Sequence, residues 1–198
     1  MMTRSIPAVI LAGGLATRMG GGDKCLLRVG PDRLIDLVIA RLAPQVGQIV
    51  LNANGPADRF AEFELPILPD SLTGYVGPLA GVLAGLDWAA QAGFDQIVSV
   101  AADTPFFPSD LVTKLSAQGP LALAATREQD KVYRQPTFGI WPVALRDDLR
   151  AALEGGLRKV VIWTERHDAG QAVWDVDGFD PFFNINTPED IALAEARS

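Results

Sequence analysis

Short apolar runs alternate with amphipathic stretches along the chain. Ile6–Ala12, Gln48–Ala53 and Gln96–Ala102 are dense in Val, Ile and Ala and read as buried strands, with Leu65–Asp70 a shorter one between them. Leu34–Leu42 spaces its apolar residues at helical intervals and turns Asp36 and Arg41 outward. Leu79–Gln91 is helical, and Ser109 is placed as the N-cap of the helix SDLVTKLSAQ, with Asp110 in its first turn. Further on, LALAATRE and TFGIWPV read as two strands separated by the polar segment EQDKVYRQP, and Val143–Leu153 reads as a helix. The last helix, PEDIALAEARS, has Thr187 as N-cap, Pro188 at its first position, and Glu189 and Asp190 in its first turn. Apolar strands without period-two alternation, interleaved with helices, predict a parallel sheet covered on both faces. The expected class is α/β: one domain over residues 1–198, with a doubly wound, mostly parallel, Rossmann-like sheet. No internal repeat, low-complexity segment or linker divides it.

Composition changes this picture little. The chain of 198 residues is 48% hydrophobic and 21% charged, ordinary values for a globular protein with a sizeable core. Its net charge of −7 argues against nucleic acid or an anionic membrane as the main partner, while leaving room for a small anion at a local cluster of cations. The lone cysteine, Cys25, excludes an internal disulfide and a multi-cysteine metal site, which fits a reducing cytoplasm. The apolar start is broken by Pro7 and runs straight into glycines, so a first strand is expected there and no secretory signal or membrane span.

Chemistry should gather at the carboxyl ends of the strands. There the first strand runs into "VILAGGLATRMGGGDK", which holds Gly13, Gly14, Gly20, Gly21 and Gly22 together with Arg18 and Lys24. It is neither a P-loop, because Cys25 follows Lys24, nor the G-x-G-x-x-G fingerprint. It is either a tight turn or a phosphate cradle in which bare backbone N–H groups approach the anion and the two cations neutralise it. Asp103 ends an apolar strand, where a carboxylate is costly unless its charge is used. It is either a cap or salt-bridge partner, or a ligand for Mg²⁺, which takes carboxylate and phosphate oxygens together. His167, in TERHDAG, is expected to be a solvated surface residue, Arg158-Lys159 a solvated basic turn, and Cys25 a small packing residue.

The run "LAGGLATRMGGGDK" resembles the signature of nucleotidyltransferases that couple a nucleoside triphosphate to a phosphate-bearing acceptor. Within them the chain is most similar to the molybdenum cofactor guanylyltransferases. The likeness continues through NAN at Asn52–Asn54, PDSL at Pro69–Leu72, GPLAG at Gly77–Gly81, ADTPF at Ala102–Phe106 and NINTPED at Asn184–Asp190. It implies transfer of GMP from GTP to the terminal phosphate of molybdopterin, with pyrophosphate released and Mg²⁺ required. Residues 1–120 would be the nucleotide-binding part and 121–198 the acceptor side. By the same resemblance Leu11, Ala12, Gly13 and Gly14 would hold the nucleotide, and Lys24 and Arg18 would neutralise phosphate charge. Asn52 and Asp70 would read the guanosine, and Asp103 would bind both nucleotide and metal. Asn184 and Asn186 would lie on the acceptor side. LAGG in place of LAAG favours guanine over cytosine. The implied macromolecular partners are proteins that deliver the cofactor and chaperones of molybdoenzymes that collect it.

The chemistry suits a chain with one histidine. A phosphate monoester is mostly a dianion at neutral pH and attacks the α-phosphate without a general base, so catalysis reduces to positioning and charge neutralisation. Three other readings stay open: a cytidylyltransferase for the same acceptor, a sugar-phosphate nucleotidyltransferase, and a non-catalytic nucleotide-binding or carrier protein.

Overall fold

Seven strands form one sheet in the order β5-β4-β1-β6-β8-β7-β9 in a computed structural model that describes residues 5–13, 23–72, 74 and 77–196. The strands are β1 (Ala8–Leu11), β4 (Ile49–Asn52), β5 (Ile67–Leu68), β6 (Gln96–Ala101), β7 (Ala122–Glu128), β8 (Lys131–Pro142) and β9 (Gly170–Asp175). A two-stranded ribbon of β2 (Arg28–Val29) and β3 (Asp32–Arg33) stands apart from them. β1 pairs in parallel with both β4 and β6, β4 with β5, and β7 with β9. β8 runs antiparallel to both β6 and β7. The sheet is therefore mostly parallel, as expected, with β4 and β5 on one side of β1 and β6, β8, β7 and β9 on the other.

The near-continuous apolar strands have a direct cause: both of their faces are buried. Ala8 and Ile10 of β1, with Val98 and Val100 of β6, pack into a core shared with α1 (Leu34–Leu42) and α3 (Leu111–Ser116). Val9 and Ile97 point the other way, against α2 (Pro78–Gln91), α4 (Arg146–Glu154) and α5 (Val160–Arg166). A smaller cluster joins Val29 and Leu34 to Ile185 and to Ala194 of α6 (Pro188–Glu195).

Several expectations need correction. The polar segment EQDKVYRQP does not separate two strands; most of it belongs to the 12-residue β8, which leaves β7 through a tight turn at Gln129, whose φ is +53°. Strand β9 and helix α5 were not foreseen. β9 lies at a sheet edge and buries only alternate residues, Ala172 and Trp174, so it lacks the apolar run that marks the inner strands. Ser109 is not an N-cap. α3 begins after Asp110, whose carboxylate accepts from Trp174 Nε1 at 2.9 Å, while the Val112 N–H is taken by Gln45 Oε1 at 3.2 Å. The fourth helix starts at Arg146, after a short 3-10 turn over Val143–Leu145. Thr187 caps α6 as expected, its hydroxyl accepting from Asp190 N at 3.2 Å and its own N–H donating to Asp190 Oδ2 at 2.9 Å.

Candidate active site

At the carboxyl ends of β1, β4 and β6 a cavity of about 450 Å³ opens between the sheet and the start of α2. Leu11, Gly13, Asn52, Asp70, Asp103 and Asn184 line it, all of them among the residues singled out in the sequence. Ala12 follows β1, buried behind the rim, its N–H donating to Asn52 O at 2.9 Å. Gly14, Arg18 and the glycines at 20, 21 and 22 lie outside the described residues.

Lys24 lies behind one end of the cavity, held by two of the residues that line it, Asp103 and Asn184. It opens a 3-10 turn over Lys24–Leu26 and is buried, its side chain only 9% exposed. An ammonium group carries three protons, and each has an acceptor: Asp103 Oδ2 at 2.5 Å, Asn184 Oδ1 at 2.9 Å and Asn186 Oδ1 at 2.5 Å. The two asparagines are placed by the residue between them. Ile185 is fully buried in the cluster with Val29 and Leu34, and its N–H donates to Asp103 O at 2.9 Å. Asn186 is held further by its N–H to Asp190 Oδ2 at 2.8 Å, which ties it to the cap of α6. Asn184 and Asn186, expected on the acceptor side, thus also complete the surroundings of Lys24. Asp103 keeps a 23% exposed side chain facing the cavity, with Thr104 Oγ1 donating to its second oxygen at 3.2 Å.

Asn52 and Asp70 meet at the other end. Asn52 Nδ2 donates to Asp70 Oδ1 at 3.0 Å and to Leu68 O at 3.1 Å. Asn54, named in the NAN motif but given no role there, donates through Nδ2 to Asp70 Oδ2 at 2.8 Å and accepts from Asp70 N at 2.9 Å. Its signal was present in NAN, where a second asparagine two residues on points to the same side of an extended chain. Gly81 was also passed over as a site residue. A Cβ there would stand 2.2 Å from Asn52 Oδ1 and 2.8 Å from Leu11 Cδ2, so the glycine makes room for both cavity walls. Thr137 lines the cavity from β8 and had no signal, because the path of β8 was not foreseen.

Magnesium needs only one or two carboxylates beside phosphate oxygens and water. Asp103, with hard oxygen donors from Thr104 and Asn184 nearby, meets that need. Among the described residues no group of three or more His, Cys, Asp and Glu side chains forms a self-sufficient metal cage.

Other candidates settle into structural roles. Cys25 is buried in the core, and burial, aided by the negative charge of Asp23, pushes its thiol up to about 12. His167 is not a free surface residue: its ring packs on Trp163 at 4.5 Å and its Nε2 lies 2.8 Å from Asp148 Oδ1. Arg158 and Lys159 are exposed, as expected, and Arg158 also donates to Leu153 O at 2.9 Å and Leu157 O at 2.8 Å at the end of α4.

The comparisons with known proteins agree with this geometry. A family model described as a MobA-like NTP transferase domain matches residues 8–169. The molybdenum cofactor guanylyltransferase of Bradyrhizobium sp. (strain ORS 278) is 48% identical, over 98% of this chain and 93% of its own. That of Rhodopseudomonas palustris (strain HaA2) is 49% identical over 96% and 90%. Among solved structures, molybdopterin-guanine dinucleotide biosynthesis protein A from Archaeoglobus fulgidus superposes with a TM-score of 0.73 and 25% identity, over 97% of this chain and 98% of that one.

Proposed function

Because the chain belongs to the MobA-like NTP transferase family, we propose that it transfers GMP from GTP to the terminal phosphate of molybdopterin, releasing pyrophosphate. The observation that carries this reading is that Asp103 and Asn184, which line one end of a cavity whose other end holds Asn52 and Asp70, both hold Lys24, with Asn186 as its third partner. One end suits a phosphate chain and the other a base. Asp70 has both oxygens oriented by amide donors, and their remaining lone pairs suit the N1–H and 2-amino group of guanine. Cytosine offers no such pair of neighbouring donors.

In the reaction an oxygen of the acceptor phosphate forms a bond to the α-phosphorus of GTP, and the bond from that phosphorus to the bridging β-phosphate oxygen breaks. The charge moved onto pyrophosphate is met by Lys24 and by backbone N–H groups of the glycine loop, with Arg18 as a further cation. Because all three protons of Lys24 are already donated, contact with phosphate requires it to release one partner. Asp103 is the partner to release, as its carboxylate would hold Mg²⁺. When bound, that ion supplies Lewis-acid neutralisation of the phosphate oxygens. Asn184 and Asn186 keep the ammonium in place through the exchange. GTP and molybdopterin are the small-molecule partners of this reading, and the proteins that deliver and collect the cofactor belong to the same proposal.

Lys24→Ala tests it. Turnover, followed as pyrophosphate released in the presence of GTP, Mg²⁺ and molybdopterin, is expected to fall by about 10²–10³-fold. Circular dichroism should still report a folded protein. Turnover near that of the unmodified protein removes Lys24 from the mechanism, and transfer from CTP in place of GTP moves the activity to the cytidylyl class.

A further inference from the structure

A second cavity, of about 650 Å³, lies beyond the clamp around Lys24, between the β7–β8 hairpin, the segment that precedes α6, and α6 itself. Its walls are aromatic and aliphatic. Phe179 and Phe183 stand with ring centroids 5.2 Å apart, Tyr133 is 48% exposed on β8, and Leu193 is 57% exposed on α6. Two carboxylates face into it: Glu128 at the end of β7, and Asp180, which spends one oxygen on Phe182 N at 2.8 Å. Resting on the function proposed above, we infer that this cavity receives the pterin ring of the acceptor while its phosphate reaches the clamp.

Three observations carry the inference. The two cavities adjoin one stretch of chain, because Phe183 lines this one and the next residue, Asn184, lines the first and holds Lys24. The span fits. β7 lies two strands from β6, separated by β8, so the end of β7 is roughly 10 Å from Asp103, at about 4.8 Å per strand. That is on the order of the length from a pterin ring to a phosphate carried on its side chain. The chemistry also fits. A pterin presents flat π-faces suited to Phe and Tyr, and an edge with an N–H and an amino group side by side. A carboxylate accepts both donors of that edge at once, as it does from guanidinium. Glu128, on the even face of β7 with Thr126, is the acceptor best placed for it, since one oxygen of Asp180 is already engaged.

The test uses the whole protein and fluorescent 6-hydroxymethylpterin as probe. Fluorescence anisotropy should give a Kd of about 1 mM or tighter, the affinity expected for a ligand of this size. Saturating GTP should not displace the probe. Glu128→Gln should weaken the probe at least ten-fold and raise the KM for molybdopterin, with the KM for GTP unchanged. Phe179→Leu, which keeps an apolar wall without a ring, should weaken it too. Displacement by GTP would mean one shared site and would overturn the inference. So would probe affinity unchanged in both variants, or no binding to the unmodified protein, either of which would leave the cavity to a protein partner. The underlying function fails separately: it falls if the unmodified protein releases no pyrophosphate with GTP, Mg²⁺ and molybdopterin.

Discussion

Lys24 and Cys25 show how far one position along the chain can divide chemistry from packing. Lys24 spends its three protons on Asp103, Asn184 and Asn186, while Cys25 packs in the core. A thiol pushed up to about 12 stays protonated and unreactive at neutral pH. Iodoacetamide at pH 8 should therefore label Cys25 only as fast as the protein opens, and rapidly once denaturant is added, as read by mass spectrometry. The sign of the pH effect follows from the same shift. Above the ordinary thiol value of 9.0 the unfolded chain gives up its proton while the folded chain keeps it. The unfolded state is then favoured, and stability falls as pH rises from about 9 toward 12. Denaturant midpoints at pH 8 and pH 10 should show a smaller alkaline loss in Cys25→Ala than in the unmodified protein. An equal loss would assign the alkaline limb to other groups.

Helix α2 illustrates what an element contributes. Gly77, with φ at +134°, and Pro78 start it, and Gly81 and Gly85 then let it lie close on the sheet. The two glycines are one turn apart yet meet different neighbours. A Cβ at Gly81 would strike Asn52 and Leu11, which line the cavity, whereas one at Gly85 would come within 2.8 Å of Val9 Cγ1 in the core. Gly81→Ala and Gly85→Ala should each cost about 1–3 kcal/mol of stability by overpacking, offset in part by the better helix propensity of alanine. Only Gly81→Ala should raise the KM for GTP, by about ten-fold or more, because it displaces Asn52 and with it Asp70. Steady-state kinetics on both variants decides this; equal KM values would mean that the sheet absorbs the extra methyl group without moving Asn52.

At the scale of the whole molecule, the clamp around Lys24 joins segments remote in sequence. Lys24 belongs to the segment after β1, and Asn184 and Asn186 lie 160 and 162 residues away. A nucleotide that replaces a partner of Lys24 and bridges to Asn52 and Asp70 stabilises the whole domain. GTP with Mg²⁺ at 100 times its Kd should add about 2.7 kcal/mol, or roughly 5–10 °C in Tm for a chain of this size, and CTP should add much less. Lys24→Ala should lose most of the shift. Equal shifts from GTP and CTP would remove Asn52 and Asp70 as readers of the base.

Strand content, the helix cap at Thr187 and the strand-end positions of Asn52, Asp70 and Asp103 were legible in the sequence. Apolar runs, capping residues and breakers act over a few residues, so they are written locally. Asn184 and Asn186 were named only through the family resemblance, as acceptor-side residues, and the burial of Ile185 between them was not foreseen. Which group those asparagines face was not legible, because that depends on how segments remote in sequence pack. The same holds for the reversal of β8, which brings Thr137 to the cavity at the ends of β1, β4 and β6, and for β9, whose edge position needs little apolar surface. By itself, the amino-acid order determined a doubly wound sheet with a glycine loop and carboxylates at its strand ends. Tertiary structure alone decided that Lys24 would be clamped from the far end of the chain, and that an aromatic cavity would open one residue beyond the clamp. Local propensity has a range of a few residues, whereas these contacts depend on the order in which the strands are laid down.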